Sequence, residues 1–215
     1  MARVVIIGGH GKVALRLAPI LAARGDEVTS IVRNRDHVAD VEAVGATALV
    51  ADVESMDTEA IASVLAGNDA VVWSAGAGGG DPQRTYAVDR DAAIRSMDAA
   101  ALAGVRRYIM VSYLGAGPGH GIPPESDFFA YAEAKAAADA HLKEADLDWT
   151  ILGPGPLTLD EPTGRIEVRE PGSGRVARGD VAAVIAAALV EPATVRRTVP
   201  FGNGDVPIAD ALAQV

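Results

Sequence analysis

Residues 4–14 read Val4-Val5-Ile6-Ile7-Gly8-Gly9-His10-Gly11-Lys12-Val13-Ala14, four β-branched residues that pass directly into a glycine-rich turn. Such a run suits a strand buried on both faces of a parallel sheet. Gly8 and Gly11 allow a tight turn and a close approach of backbone to a ligand. The helix expected from about Lys12 offers unpaired N–H groups and a partial positive charge to an anion. Strand, turn and helix together predict a cradle for the pyrophosphate of a dinucleotide, with Gly8, His10, Gly11, Lys12 and Val13 on it. Glycine spacing alone carries little weight in a chain with 23 glycines, so the flanking elements decide the reading.

Outward from this stretch the pattern repeats. Strand-like segments at 3–7, 27–33, 47–51, 70–74, 107–112 and 147–152 alternate with helix-like segments at 11–24, 36–44, 56–65, 83–103 and 128–145. Glycine stands just past most of these helices, and Asp127 is the expected N-cap of the last. The rhythm predicts an α/β, Rossmann-type doubly wound parallel sheet. Beyond it lie two short strand candidates, at 165–168 and 198–201, an alanine-rich helix at 180–190 and a final turn at 207–212. The expectation is a single domain over 1–215, with a small C-terminal extension and a substrate region built from 113–127 and 154–178.

Bulk properties bound the function. An apolar fraction of 49% over 215 residues is ample for a core. A net charge of −10 argues against nucleic acid or an anionic membrane as partner. The absence of cysteine excludes disulfides and thiol chemistry. No apolar run approaches the roughly 18 residues of a membrane span, and strand residues begin at position 3, so a cytoplasmic protein is expected.

In doubly wound sheets ligands lie at the carboxyl ends of the strands, where strand order reverses. An NAD site usually carries an acid at the tip of the second strand. Here that tip reads Ile31-Val32-Arg33-Asn34-Arg35. Arg33 and Arg35, with Lys12 near by, suit a 2′-phosphate, so NADP (NADPH) is expected and NAD is less favoured. Asp52 is either an acceptor for the adenine amino group or a helix cap. Tyr131 and Lys135 lie four apart on one helix face. A lysine ammonium beside a phenol favours the phenolate and brings proton transfer toward neutral pH. Ser112, ending the fifth strand, would hold a substrate oxygen, and Lys135 would also hold the nicotinamide ribose. His10 is either a cofactor contact or a plain turn residue. His120, in a Gly/Pro-rich loop, is either a substrate contact or solvated. None of the four histidines has metal-ligand spacing, so no metal is expected.

These residues resemble the short-chain dehydrogenase/reductase superfamily, in its small atypical branch of NmrA-like and flavin/biliverdin reductase-like NAD(P)-binding proteins. Gly8, Gly11 and Ala14 match its turn. Arg33 and Asn34 match its strand-2 cofactor residues, and Asp52 and Val53 its adenine-contacting pair. Ser74, Ala75 and Gly76 stand for its Asn-Ala-Gly segment. Val88-Asp89 begins its long helix, and Tyr131 with Lys135 match its Tyr-x-x-x-Lys helix. Asp148–Pro154 matches the strand whose following loop, Pro154 and Gly155, the resemblance places against nicotinamide. Gly153 stands where many relatives carry arginine. The resemblance implies an NADP-dependent oxidoreductase passing hydride between nicotinamide and a small carbonyl, quinone or flavin-like acceptor, with Tyr131, Lys135 and Ser112 assisting. The alternatives are a non-catalytic NADP(H)-sensing regulator and a sugar-nucleotide-type epimerase. The partner is a small-molecule substrate, and the chain a monomer or homodimer.

Overall fold

The computed structural model describes residues 1–168 and 174–215. Strand β1 (Arg3–Ile7) lies between β2 (Glu27–Val32) and β4 (Ala70–Trp73), parallel to both. The sheet continues through β3 (Thr47–Val50) on one side, and through β5 (Arg107–Val111), β6 (Asp148–Pro154) and β10 (Arg197–Asn203) on the other, all parallel. At the β10 edge β8 (Arg165–Val168), antiparallel to β10, and β11 (Val206–Pro207), antiparallel to β8, complete the nine strands among the described residues. The chain runs outward from β1 to β3 and then returns to start β4 on β1's other side. That reversal opens a crevice at the carboxyl ends of β1 and β4. A short parallel pair, β7 (Leu157–Thr158) with β9 (Val176–Ala177), brackets much of the region expected to face substrate; its residues 169–173 lie outside the described residues.

The alternation of side chains along β1 divides the core. Val4 and Ile6 pack with α1 (Ala14–Ala23), α2 (Val38–Ala43), α7 (Arg178–Ala188) and α8 (Ile208–Leu212) on one face. Val5 and Ile7 pack with α3 (Thr58–Leu65), α5 (Ala93–Leu102) and α6 (Phe129–Glu144) on the other. All four are essentially without solvent exposure, each worth about 1.5–3 kcal/mol of transfer free energy. No described helix is long and apolar enough to cross a membrane.

Three helices depart from expectation. The long one is not uniform: α4 (Pro82–Thr85) runs into a π-helical segment, Tyr86–Ala92, before α5 continues it. Helix α1 begins at Ala14, two residues later than Lys12, because Gly11 N–H first donates back to the Gly8 carbonyl (2.9 Å) and closes a separate turn. Asp127 does not cap α6. The flanking residue is Phe128, whose N–H donates to the Ser126 hydroxyl (3.2 Å), so the local turn takes the bond a cap would make.

The β1–α1 turn rests on one close approach. Gly8 has φ of 87°, and a Cβ there would lie 2.6 Å from the backbone N and Cα of Ala75. Gly25 has the same φ with open space around it, which makes it an internal control. Gly8→Ala should cost more than about 3 kcal/mol in urea unfolding, against roughly 1 kcal/mol for Gly25→Ala. Equal losses would show that the approach to Ala75 adds nothing to backbone strain.

Candidate functional site

A crevice of about 440 Å³ opens over the carboxyl ends of β1, β2 and β4, lined in part by Gly8, Gly9, His10 and Gly11. The first turn of α1 has no side-chain cap and no acidic residue, so its N–H groups face an anion unopposed. A Cβ at Gly9 would strike Ser30, and one at Gly8 would strike Ala75, so only glycine leaves this cradle its shape. The residues present therefore fit a dinucleotide pyrophosphate. The same crevice takes in Arg33, Asn34, Asp52, Val53, Ser74, Ala75 and Gly76. It does not take in Lys12, which is exposed, Val13, which is in the core, or Arg35.

The crevice also takes in Glu54, Arg84 and His37, none of them among the expected site residues. Glu54 accepts from both Arg33 (3.2 Å) and Arg84 (3.3 Å), and Arg84 also donates to the Ala77 carbonyl (2.6 Å). His10 stacks on His37 with ring centroids 3.6 Å apart, and its Nε2 lies 2.8 Å from Asp40. Asp52 caps no helix. Its carboxylate accepts from Glu54 N–H (3.2 Å) in a local turn, while Asp57 caps α3.

Below the crevice lies a buried ionisable cluster. Lys135 is fully enclosed, and its Nζ donates to the Met110 thioether (2.9 Å). Asp139, one turn further along α6, accepts from the Ser112 hydroxyl (2.5 Å) through Oδ2, while its buried Oδ1 has no partner among the described residues. Asp89, presented by the π-helical segment, accepts from Ala77 N–H (2.9 Å) and lies against Gly76. Burial raises the pKa of both carboxyls, with Lys135 partly offsetting it; burial lowers that of Lys135, with both carboxyls opposing. Two consequences correct the expected chemistry. Ser112 directs its hydrogen to Asp139 rather than into the cleft. The Tyr131 phenol is pushed well above its ordinary pKa, by burial first and then by Asp89, Asp139 and Tyr113, so no lysine draws it toward phenolate.

Tyr131 lines a second cavity of about 960 Å³, formed by the loop after β4 and the start of α6. The two cavities share Gly76. His120 does not reach into this one: its Nε2 bonds Glu133 (2.8 Å), its Nδ1 accepts from Ile122 N–H (3.0 Å), and only 6% of its side chain is exposed. Pro154 and Gly155 are buried at the end of β6, where the Pro154 carbonyl accepts from Leu114 N–H (2.8 Å). Gly153 packs against the Tyr113 carbonyl, 3.3 Å from where a Cβ would stand, so a larger residue there would press on that carbonyl.

A family model described as NAD(P)H-binding matches residues 8–192. The uncharacterized sugar epimerase YhfK of Bacillus subtilis is 35% identical over 99% of this chain and 100% of its own length. Among solved structures, a Bacillus halodurans protein with the provisional name NAD-dependent epimerase/dehydratase superimposes with a TM-score of 0.92 at 34% identity, covering all of both chains. The oxidoreductase ylbE of Lactococcus lactis gives 0.88 at 29% identity, over 99% of this chain and 96% of its own.

The Ser112–Asp139 bond makes a pH-dependent contribution with a defined sign. A carboxyl whose folded pKa is raised adds stability below its unfolded value and loses it as pH rises through the folded value. Removing Ser112 raises that folded value further and leaves a buried carboxylate with no hydroxyl donor. Ser112→Ala should therefore cost about 1–3 kcal/mol at neutral pH and less at about pH 4, read from urea unfolding at both. A loss that is larger at the acidic pH would contradict the assignment.

Proposed function

The chain belongs to the NAD(P)H-binding family, and we propose that it is an NADP(H)-dependent oxidoreductase acting on a small carbonyl, quinone or flavin-like acceptor held beside Tyr131. The observation that carries this reading is that the two cavities meet at one shared wall residue, Gly76, so a dinucleotide seated on the Gly8–Gly11 turn would have its far end near the cavity that Tyr131 lines. When bound, the nicotinamide supplies the hydride. The protein's part is protonic. The Tyr131 phenol, kept protonated by its burial, donates to the oxygen that gains charge. Ser112 takes its orientation from Asp139. Its hydroxyl donates to that carboxyl and lines neither cavity, so its part is to hold Asp139 in place behind Tyr131. Lys135, Pro154 and Gly155, expected at the nicotinamide end of the cofactor, are buried and line neither cavity, so their part is to support that end from behind.

Arg33, reinforced by His10 and His37, favours a 2′-phosphate over a ribose hydroxyl. Glu54 competes for Arg33, which tempers that preference. The name of the Bacillus subtilis relative raises sugar epimerisation, but the carboxylates around the second cavity count against a sugar carried on a diphosphate.

Three measurements test this reading. NADPH oxidation against a panel of carbonyls, quinones and flavins should find turnover, and Tyr131→Phe should lower kcat by about 10²–10⁴. Tight NADPH binding without turnover on any acceptor would instead favour a cofactor sensor. By calorimetry, Arg33→Ala should weaken NADPH by about tenfold or more while leaving NADH nearly unchanged. Glu54→Gln, by releasing Arg33, should tighten NADPH by up to about fivefold.

A further inference from the structure

The cavity beside Tyr131 has a one-sided chemistry. Its walls carry four aromatic rings: Tyr86, Phe128, Phe129 and Tyr131. Phe128 and Tyr131 sit 5.2 Å apart between centroids, and Tyr113 closes the group behind them at 5.1 Å from Phe128 and 5.6 Å from Tyr131. Tilted against one another by 42° to 85°, the three rings brace an apolar wall at low entropic cost. The Tyr131 hydroxyl, on a half-buried side chain, makes no hydrogen bond with any described residue, so it has a donor to give to whatever enters.

Every charged residue lining the cavity is an acid: Asp81, Glu125 and Asp127. Glu125 and Asp127 form no hydrogen bond or ion pair through their carboxylates among the described residues. Asp81 caps α4 through a single oxygen. The basic groups near by are all engaged elsewhere. Arg84 turns to Glu54 and Ala77, Arg90 lies over the outer Tyr86 ring and bonds Asp91, and His120 is fixed to Glu133. Each carboxylate at the mouth repels an anion and attracts a cation over a distance of about a Debye length.

Building on the oxidoreductase reading, we propose that this cavity selects an uncharged or cationic flat ring bearing a carbonyl oxygen, and discriminates against the same ring carrying a phosphate, sulfonate or carboxylate. The ring lies against Phe128, its oxygen accepts from the Tyr131 hydroxyl, and Glu125 and Asp127 set the charge preference.

The test is binding without turnover. The full chain is saturated with NADP⁺, the oxidised form, so that no probe is reduced. Affinities are then measured by calorimetry for 1,4-naphthoquinone, its 2-sulfonate, and a derivative with a quaternary ammonium on a short side chain. The cationic and neutral probes should bind about tenfold or more tightly than the sulfonate at low salt, and the gap should narrow severalfold in about 0.5 M salt. The double variant Glu125→Gln/Asp127→Asn should abolish most of the gap while leaving the neutral probe's affinity within about twofold. Phe128→Ala should weaken all three alike by about tenfold. A sulfonate that binds as tightly as the neutral ring, a gap that survives the double variant, or no binding by any probe would each overturn the proposal. NADPH oxidation is scored separately. Binding in the expected order without turnover removes the oxidoreductase reading and leaves the charge selection standing. Turnover with a preference for the sulfonate does the reverse.

Discussion

The backbone contact between Gly8 and Ala75 is the constraint on which the site depends. It joins the ends of two neighbouring parallel strands at the point where the chain's path reverses, with no room for even a methyl group between them. From one side of that contact the chain turns into α1 and presents its N–H groups. From the other it runs through Gly76 to the π-helical segment and the second cavity. Neither strand end can retreat, because Val4–Ile7 are packed on both faces of the sheet. The floor of the crevice is therefore set by core packing, not by loop preference.

The cluster beneath that floor is expensive in free energy. A lysine with a thioether for its acceptor and a carboxyl oxygen with no partner are arrangements that folding alone does not favour. They are reached because α6 approaches the sheet closely. Ala138, packed in the core beside Met110, has a small side chain that lets the helix come near enough for Lys135 and Asp139 to meet Met110 and Ser112 from β5 and its end. Local rules broken in one confined spot, inside an otherwise consistent core, are the pattern expected of a functional site.

Much of the fold was legible because its signals are local. Four β-branched residues before a glycine turn, and glycines past α1, α2 and α5, read directly as strand, cradle and helix ends. What escaped depends on contacts between distant residues. Nothing within Tyr86–Ala92, which holds neither glycine nor proline, announces a π-helical segment. Arg33 reads as an open phosphate ligand until Glu54, from the turn after β3, is brought to it. Spacing placed Tyr131 and Lys135 on one helix face, but burial directed the lysine to Met110 and left the phenol to two carboxyls. Asp139 was within reach, since the four-residue spacing that links Tyr131 to Lys135, extended once more, ends on it.

The π-helical segment gives the long helix two independent angular settings. Each residue in an α-helix advances by about 100°, so one extra residue in a turn shifts the phase of everything beyond it. On one side of the shift Arg84 lines the crevice and Thr85 the second cavity; on the other, Met97, Ala99 and Ala100 keep their places in the core. A single-residue insertion or deletion in that segment works as a vernier. It turns one half of the helix about its axis against the other, so the cavity face can be re-aimed through insertion length while the core face stays where packing holds it.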